Sequence, residues 1–278
     1  MQARYLLPFL SLLLLSSAKG TAQQTDSSAA LDFARQFAAP ELETLMVMEQ
    51  DVPVLISEST IPANRGVMVI LADTGSGDYL SFQPLAKEMN QLGWTTMLMP
   101  VMTPASSASN VSTATQTTEA SAPGQNETIS DENQAADSVI NQLLIQQMNA
   151  LSALTGRYSG LFMVFAPGNT AARLIQSYNK NELALPDAFI TYSPFWPEQD
   201  RNKRLATALA TVRSPVLDIS TSWDNRWSAS TAPKRKIAAA RQFKLHYRQV
   251  VLTGQKLSPN HMKLLSRRIY GWLHHMGW

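Results

Sequence analysis

Apolar and polar positions are arranged in blocks along most of this chain. Short, nearly continuous apolar runs fall at residues 52–56, 67–72, 95–101, 161–165, 188–192, 216–219 and 247–252. Between them, residues 79–92, 138–154, 171–177, 202–212, 232–243 and 261–276 place apolar side chains at helical spacing. Strands that are apolar on both faces and alternate with helices predict a mostly parallel sheet covered on both sides, an α/β fold.

Three stretches break this pattern. Residues 1–22 combine an early cation, Arg4, an apolar run from Leu6 to Leu15 and small residues at Ala18, Gly20 and Ala22. That is the layout of a cleaved secretory signal, and the run is too short to span a bilayer, so no integral membrane protein is expected. Residues 23–40 read as a flexible leader. Residues 103–137 are almost wholly Ser, Thr, Ala, Asn, Gln and acids, with no aromatic. Such a composition cannot bury enough apolar surface to offset the entropy of ordering, which predicts a disordered insertion. The remainder, residues 41–278, is read as one domain.

The chain contains no cysteine, so neither a disulfide framework nor a lipid-modified N-terminal cysteine is available. Net charge is only +2, but residues 201–268 hold fifteen lysines and arginines against two acids, Asp218 and Asp224. In an exported protein this asymmetry favours an anionic envelope surface over nucleic acid, with Lys234, Arg235, Lys236, Arg267 and Arg268 as candidate contacts.

Candidate chemistry lies at the ends of the expected strands. "VILADTGSGD" contains the Asp-Thr-Gly-Ser of an aspartic protease, but once only and leading into a helix, whereas that chemistry needs two carboxylates sharing a proton. It reads instead as a βα turn, with Asp73, Gly75 and Ser76 available to bind and turn amides available to an oxyanion. "FMVFAPGNTAARL" reads as strand, tight turn and helix, the layout of the GxSxG elbow on which an α/β-hydrolase presents its nucleophile. On that template Gly168 occupies the serine position, with Asn169 next to it as a binding candidate. "SPVLDISTSWDNRW" delivers Asp224 just past a strand, where the hydrolase acid belongs, while Asp218 inside the strand reads as a structural hydrogen bond or ion pair. The order nucleophile, acid, histidine then points to His261 in "SPNH", a stretch that Ser258 or Asn260 could equally well place there as a helix cap. His274 and His275 lack companion ligands, so neither a metal nor a cofactor is expected.

Taken together, "GVMVILADTGSGDYLSFQPLAKEMNQLGWTTMLMPVM", "GLFMVFAPGNTAA", "SPVLDIS" and "SRRIYGWL" resemble the DUF3530 group of exported proteobacterial proteins, placed among the α/β-hydrolases. The resemblance spans roughly residues 45–275. It implies the α/β-hydrolase fold and a periplasmic, Gram-negative location, and supplies no activity. The expectation is a pseudoenzyme or envelope binding protein that takes a small-molecule or envelope ligand. The alternative is a hydrolase or lyase acting through Asp224 and His261 with no serine at the elbow.

Overall fold

The computed structural model describes residues 28–37, 41–72, 79–102, 126–254 and 258–278. One sheet holds eight strands: β1 (Leu42–Val47), β2 (Gln50–Ser57), β3 (Gly66–Ala72), β4 (Trp94–Pro100), β5 (Leu161–Pro167), β6 (Ala188–Tyr192), β7 (Val216–Thr221) and β8 (Tyr247–Leu252). Their order is β1-β2-β4-β3-β5-β6-β7-β8. β2 runs antiparallel to both neighbours, and every pairing from β4 to β8 is parallel. The helices are α1 (Ser28–Gln36), α2 (Tyr79–Gln91), α3 (Asn126–Thr155), α4 (Gly168–Asn179), α5 (Gln199–Thr211), α6 (Arg226–Arg241) and α7 (Pro259–His275).

The two-residue period of a strand divides the core into two layers. Val67, Val69 and Leu71 of β3, with Val164 and Ala166 of β5, face Leu144 and Leu151 of α3, Leu174 and Ile175 of α4, and Leu205 and Leu209 of α5. The alternate residues Met68, Ile70, Met163 and Phe165 face Phe33 of α1, Phe82, Leu85 and Met89 of α2, and Met262, Leu265, Ile269 and Trp272 of α7. All seven expected strands and six expected helices are present, as is the mostly parallel sheet between two helical layers.

The structure corrects the reading in three places. The leader is ordered in part: within residues 28–37, Ala30, Phe33 and Phe37 recur at helical spacing and are buried, and the two Phe rings lie 4.8 Å apart. α3 begins at Asn126 rather than Ser138, so residues 126–137 of the expected insertion are helical; residues 103–125 lie outside the described residues. Asp137 anchors this part of the helix through ion pairs with Arg173 and Arg201. The third correction concerns Arg235, expected at the surface but buried completely in α6, where its Nε donates to Asp218 Oδ2 at 2.8 Å.

Asp218 bears out its structural reading. It also accepts hydrogen bonds from Thr191 of β6 and from Tyr247 and Gln249 of β8. The remaining guanidinium nitrogens of Arg235 donate to Thr231, Ser220 and the carbonyls of Ser228 and Pro194. Burial and the adjacent carboxylate push the Tyr247 phenol far up, so it stays protonated as a donor.

If α1 belongs to the core, Phe33→Ala should cost about 3–5 kcal/mol, read as a lower urea midpoint at unchanged slope. A cost below about 0.5 kcal/mol, usual for exposed sites, would return residues 28–37 to the leader.

Candidate functional site

The candidate groups gather at the C-terminal edge of the parallel strands, where α/β folds place their sites. β5 ends at Pro167, and α4 starts at Gly168 with φ +47°. A side chain is strained in that left-handed conformation, which glycine adopts freely. The turn is held by Phe195, whose N–H donates to the Gly168 carbonyl at 3.3 Å. Asn169 follows in the first turn of α4, where a backbone N–H has no partner within the helix. Its side-chain Oδ1 is buried without a hydrogen-bond partner among the described residues, an acceptor that a ligand N–H or O–H could satisfy. Asp73, Gly75 and Ser76 lie outside the described residues.

His261 enters from α7. Ser258 is the helix N-cap, its Oγ accepting from the His261 N–H at 3.2 Å, and Pro259 follows at the first helical position. The capping role and the site position of "SPNH" therefore hold together. The imidazole is buried, with Nε2 3.2 Å from the Tyr192 hydroxyl and Nδ1 buried without a hydrogen-bond partner among the described residues. Burial holds its pKa below the ordinary 6.5, which keeps the ring neutral at pH 7. Tyr192 closes β6 and pairs in register with Pro167, the residue before the elbow. One tyrosine thus links the strand carrying Gly168 to the histidine.

Asp224 is near this cluster in sequence order but is chemically committed elsewhere. Its Oδ1 accepts from Ser193 Oγ at 2.5 Å, from the Thr221 N–H at 3.1 Å and from Thr221 Oγ1. Its Oδ2 accepts from Ser228 Oγ at 3.0 Å. Among the described residues no hydrogen bond joins Asp224 to His261, so the expected acid–histidine contact is absent. The neighbouring Trp223 meets the imidazole instead, edge to face at 4.8 Å between ring centroids. The carboxylate serves as a clasp between the loop after β6 and the start of α6. Ser193, which it holds, has φ +52°, a conformation rare for a side-chain-bearing residue.

Composition and spacing gave no hint of Tyr192, Ser193 or Trp223, because each is brought to the site by strand register and loop geometry. A cavity of about 930 Å³ opens not at His261 but between α3, α4 and α5. There the Arg201 guanidinium lies 3.4 Å over the Trp196 ring and pairs with Asp137 and Glu198. Arg201 thereby clamps the first half of α3 to α5. Among the described residues no group of His, Cys, Asp and Glu could hold a metal ion.

A buried neutral histidine makes stability depend on pH with a definite sign. The folded-state pKa is below the unfolded one, so the unfolded chain binds the extra proton between them and stability falls as pH drops below about 6.5. Urea unfolding of the wild type at about pH 7.5 and about pH 5.5 should reveal this loss, and His261→Gln should reduce it. An identical pH dependence in both proteins would mean that the ring is solvated.

The family model described as "Protein of unknown function (DUF3530)" matches residues 15–275. No curated protein matches this sequence. Solved structures with a similar chain path include a dienelactone hydrolase from Anabaena variabilis, 16% identical over 84% of this chain and 96% of that one, with a TM-score of 0.54. A putative dienelactone hydrolase from Klebsiella pneumoniae is 10% identical over 83% and 96%, with a TM-score of 0.56. An α/β serine hydrolase without lid from Xanthomonas campestris is 12% identical over 84% and 94%, with a TM-score of 0.52. At these identities the likeness is one of fold, and it coincides with the strand order and elbow described above. The chain belongs to the DUF3530 family and has the α/β-hydrolase fold.

Proposed function

We propose that this is an exported envelope protein that keeps the shape of a hydrolase site and uses it to bind rather than to cleave. The observation that carries the reading is Gly168, which has the backbone of an elbow and no hydroxyl. Without an attacking group the acylation step cannot begin. Two further features support it. Asp224 is engaged by Ser193, Thr221 and Ser228, and among the described residues nothing orients Nδ1 of His261. What gathers beside the elbow is a recognition set: the aromatic rings of Trp223 and Tyr192, a neutral imidazole whose Nδ1 has no partner among the described residues, and the Asn169 amide oxygen, likewise without one among them. Such a set suits a small, mainly apolar or aromatic ligand carrying a few hydrogen-bonding groups.

The signal-like start supports an address in the periplasm of a Gram-negative cell, and no helix among the described residues is long and apolar enough to cross a membrane. The exposed Lys234, Lys236, Arg267 and Arg268 support contact with an anionic surface.

Purified protein should neither label with a serine-directed phosphonate nor turn over short acyl esters above background. Gly168→Ser alone should restore little labelling. In a serine protease, losing the carboxylate behind the histidine costs about 10⁴ in turnover, and here that carboxylate is committed elsewhere. Robust wild-type turnover abolished by His261→Ala, yet indifferent to substitution at Gly168, would replace the binding reading with a hydrolase or lyase acting through the imidazole.

A further inference from the structure

The most anomalous surface lies at the opposite edge of the sheet from the elbow, in the turn between α6 and β8. Phe243 is 86% exposed and Leu245 88% exposed, more than any other large apolar side chains described. Their outward direction has a local cause. Lys244, between them, turns inward and its ammonium donates to the carbonyls of Val212 and of Ser214, the latter at 2.9 Å. The usual arrangement is thus inverted: the cation is tucked in and the hydrophobes stand out. Partial burial lowers the Lys244 pKa to about 8, in keeping with an ammonium taken out of water.

The turn is also built at a conformational cost. α6 ends in a Schellman motif, with the Lys244 N–H donating to Ala239 and the Phe243 N–H to Ala240. Phe243 occupies the left-handed position of that motif, with φ +51°, where glycine is the usual residue. A bulky aromatic kept in a strained, fully solvated place points to a contact outside the chain.

Charge selects the class of partner. The run Arg241-Gln-Phe-Lys-Leu-His-Tyr-Arg248 contains no acid, and Arg241, His246 and Arg248 are exposed around the two hydrophobes. Arg213 stands between the two residues that receive Lys244. Two protruding side chains bury far less than the roughly 800 Å² that each partner contributes to a stable protein interface. They do match the interfacial zone of a bilayer, where an aromatic and an aliphatic side chain enter the headgroup boundary while flanking cations meet anionic lipid.

We propose that Phe243 and Leu245 form an insertion tip that docks this protein on anionic phospholipid, with Arg241 and Arg248 as its headgroup contacts. The proposal rests on the reading of the basic C-terminal third as facing an anionic surface, and gives that surface a place and a chemistry. Docking by this edge turns the opposite edge, with Gly168 and His261, away from the lipid.

The test uses the chain from Gln23 onward, which keeps every described residue and omits the signal-like residues 1–22. Its co-sedimentation with phosphatidylcholine vesicles is compared with that on vesicles containing phosphatidylglycerol. Binding should require phosphatidylglycerol and weaken with salt, and Phe243→Ser with Leu245→Ser should lower it at least about tenfold. The absence of native cysteine allows one environment-sensitive dye at Leu245→Cys, which should shift to the blue on these vesicles. The same dye at Thr44→Cys, on the far edge strand β1, should not shift. If Arg241→Glu with Arg248→Glu abolishes binding while the serine pair binds like wild type, the anionic-surface reading stands and the insertion tip is overturned. No binding to any vesicle overturns both. A vesicle-independent change of oligomeric state in the serine pair overturns the tip in favour of a contact between copies.

Discussion

The half of the molecule that carries the site is held in place by one buried carboxylate. Asp218, fully buried in β7, takes hydrogen bonds from β6, α6 and β8 at once, through Thr191, Arg235, Tyr247 and Gln249. A buried ion pair is a poor source of net stability, but removing either partner alone is severe, so the four elements are tied to a single arrangement. The effect is plainest in α6, whose inner face is Ser228, Thr231, Arg235 and Ala239 rather than an apolar stripe. The helix sits where Arg235 can be satisfied. Arg235 then reaches the carbonyls of Pro194 and Ser228, drawing the loop after β6 towards the first turn of α6.

That convergence explains what became of the acid. The loop after β6 brings Ser193 and the start of α6 brings Ser228, and both donate to Asp224, with Thr221 from the end of β7. A carboxylate held by three hydroxyls and a backbone N–H would break several hydrogen bonds to make one if it turned towards His261. Among the described residues the histidine is left with a phenol at Nε2, an indole at its face and no partner at Nδ1. Glycine at the elbow and a diverted acid point the same way: the framework of the fold is intact while the relay between its groups is not.

What the sequence disclosed and what it hid follow from the range of the interactions involved. Seven strands and six helices were legible because apolar periodicity is a local signal. The hairpin of β1 and β2 was not, since its turn is Met48-Glu49, both at positive φ, without the Asn or Gly that marks such turns. α1 and the residue after it carry a readable stripe at Ala30, Phe33 and Phe37, but the helix is short and follows a polar stretch. Gly168, Asp224 and His261 were legible as positions in a known order of elements, and Asp218 as a structural partner inside its strand. Their partners were not, because the partners of Asp224 lie on three separate elements and Tyr192 reaches His261 across 69 residues of sequence. Arg235 was misleading for the same reason, and Lys244 shows the same inward turn: charge read along a chain cannot tell a solvated cation from one turned inward onto a carboxylate or a pair of carbonyls.

Those two inward cations also separate the roles of the two edges of the sheet. At the C-terminal edge, Arg235 is spent on Asp218, and among the described residues the imidazole of His261 meets the rings of Tyr192 and Trp223, a setting for recognition by shape and a few hydrogen bonds. At the other edge, Lys244 is spent on the carbonyls of the turn between α5 and β7, which drives Phe243 and Leu245 into solvent among the remaining cations. In both places the internal use of a positive charge decides what the surface beside it offers. The proposed ligand site and the proposed lipid tip can thus share one fold without competing for the same residues, because the parallel sheet sets them at opposite ends of its strands.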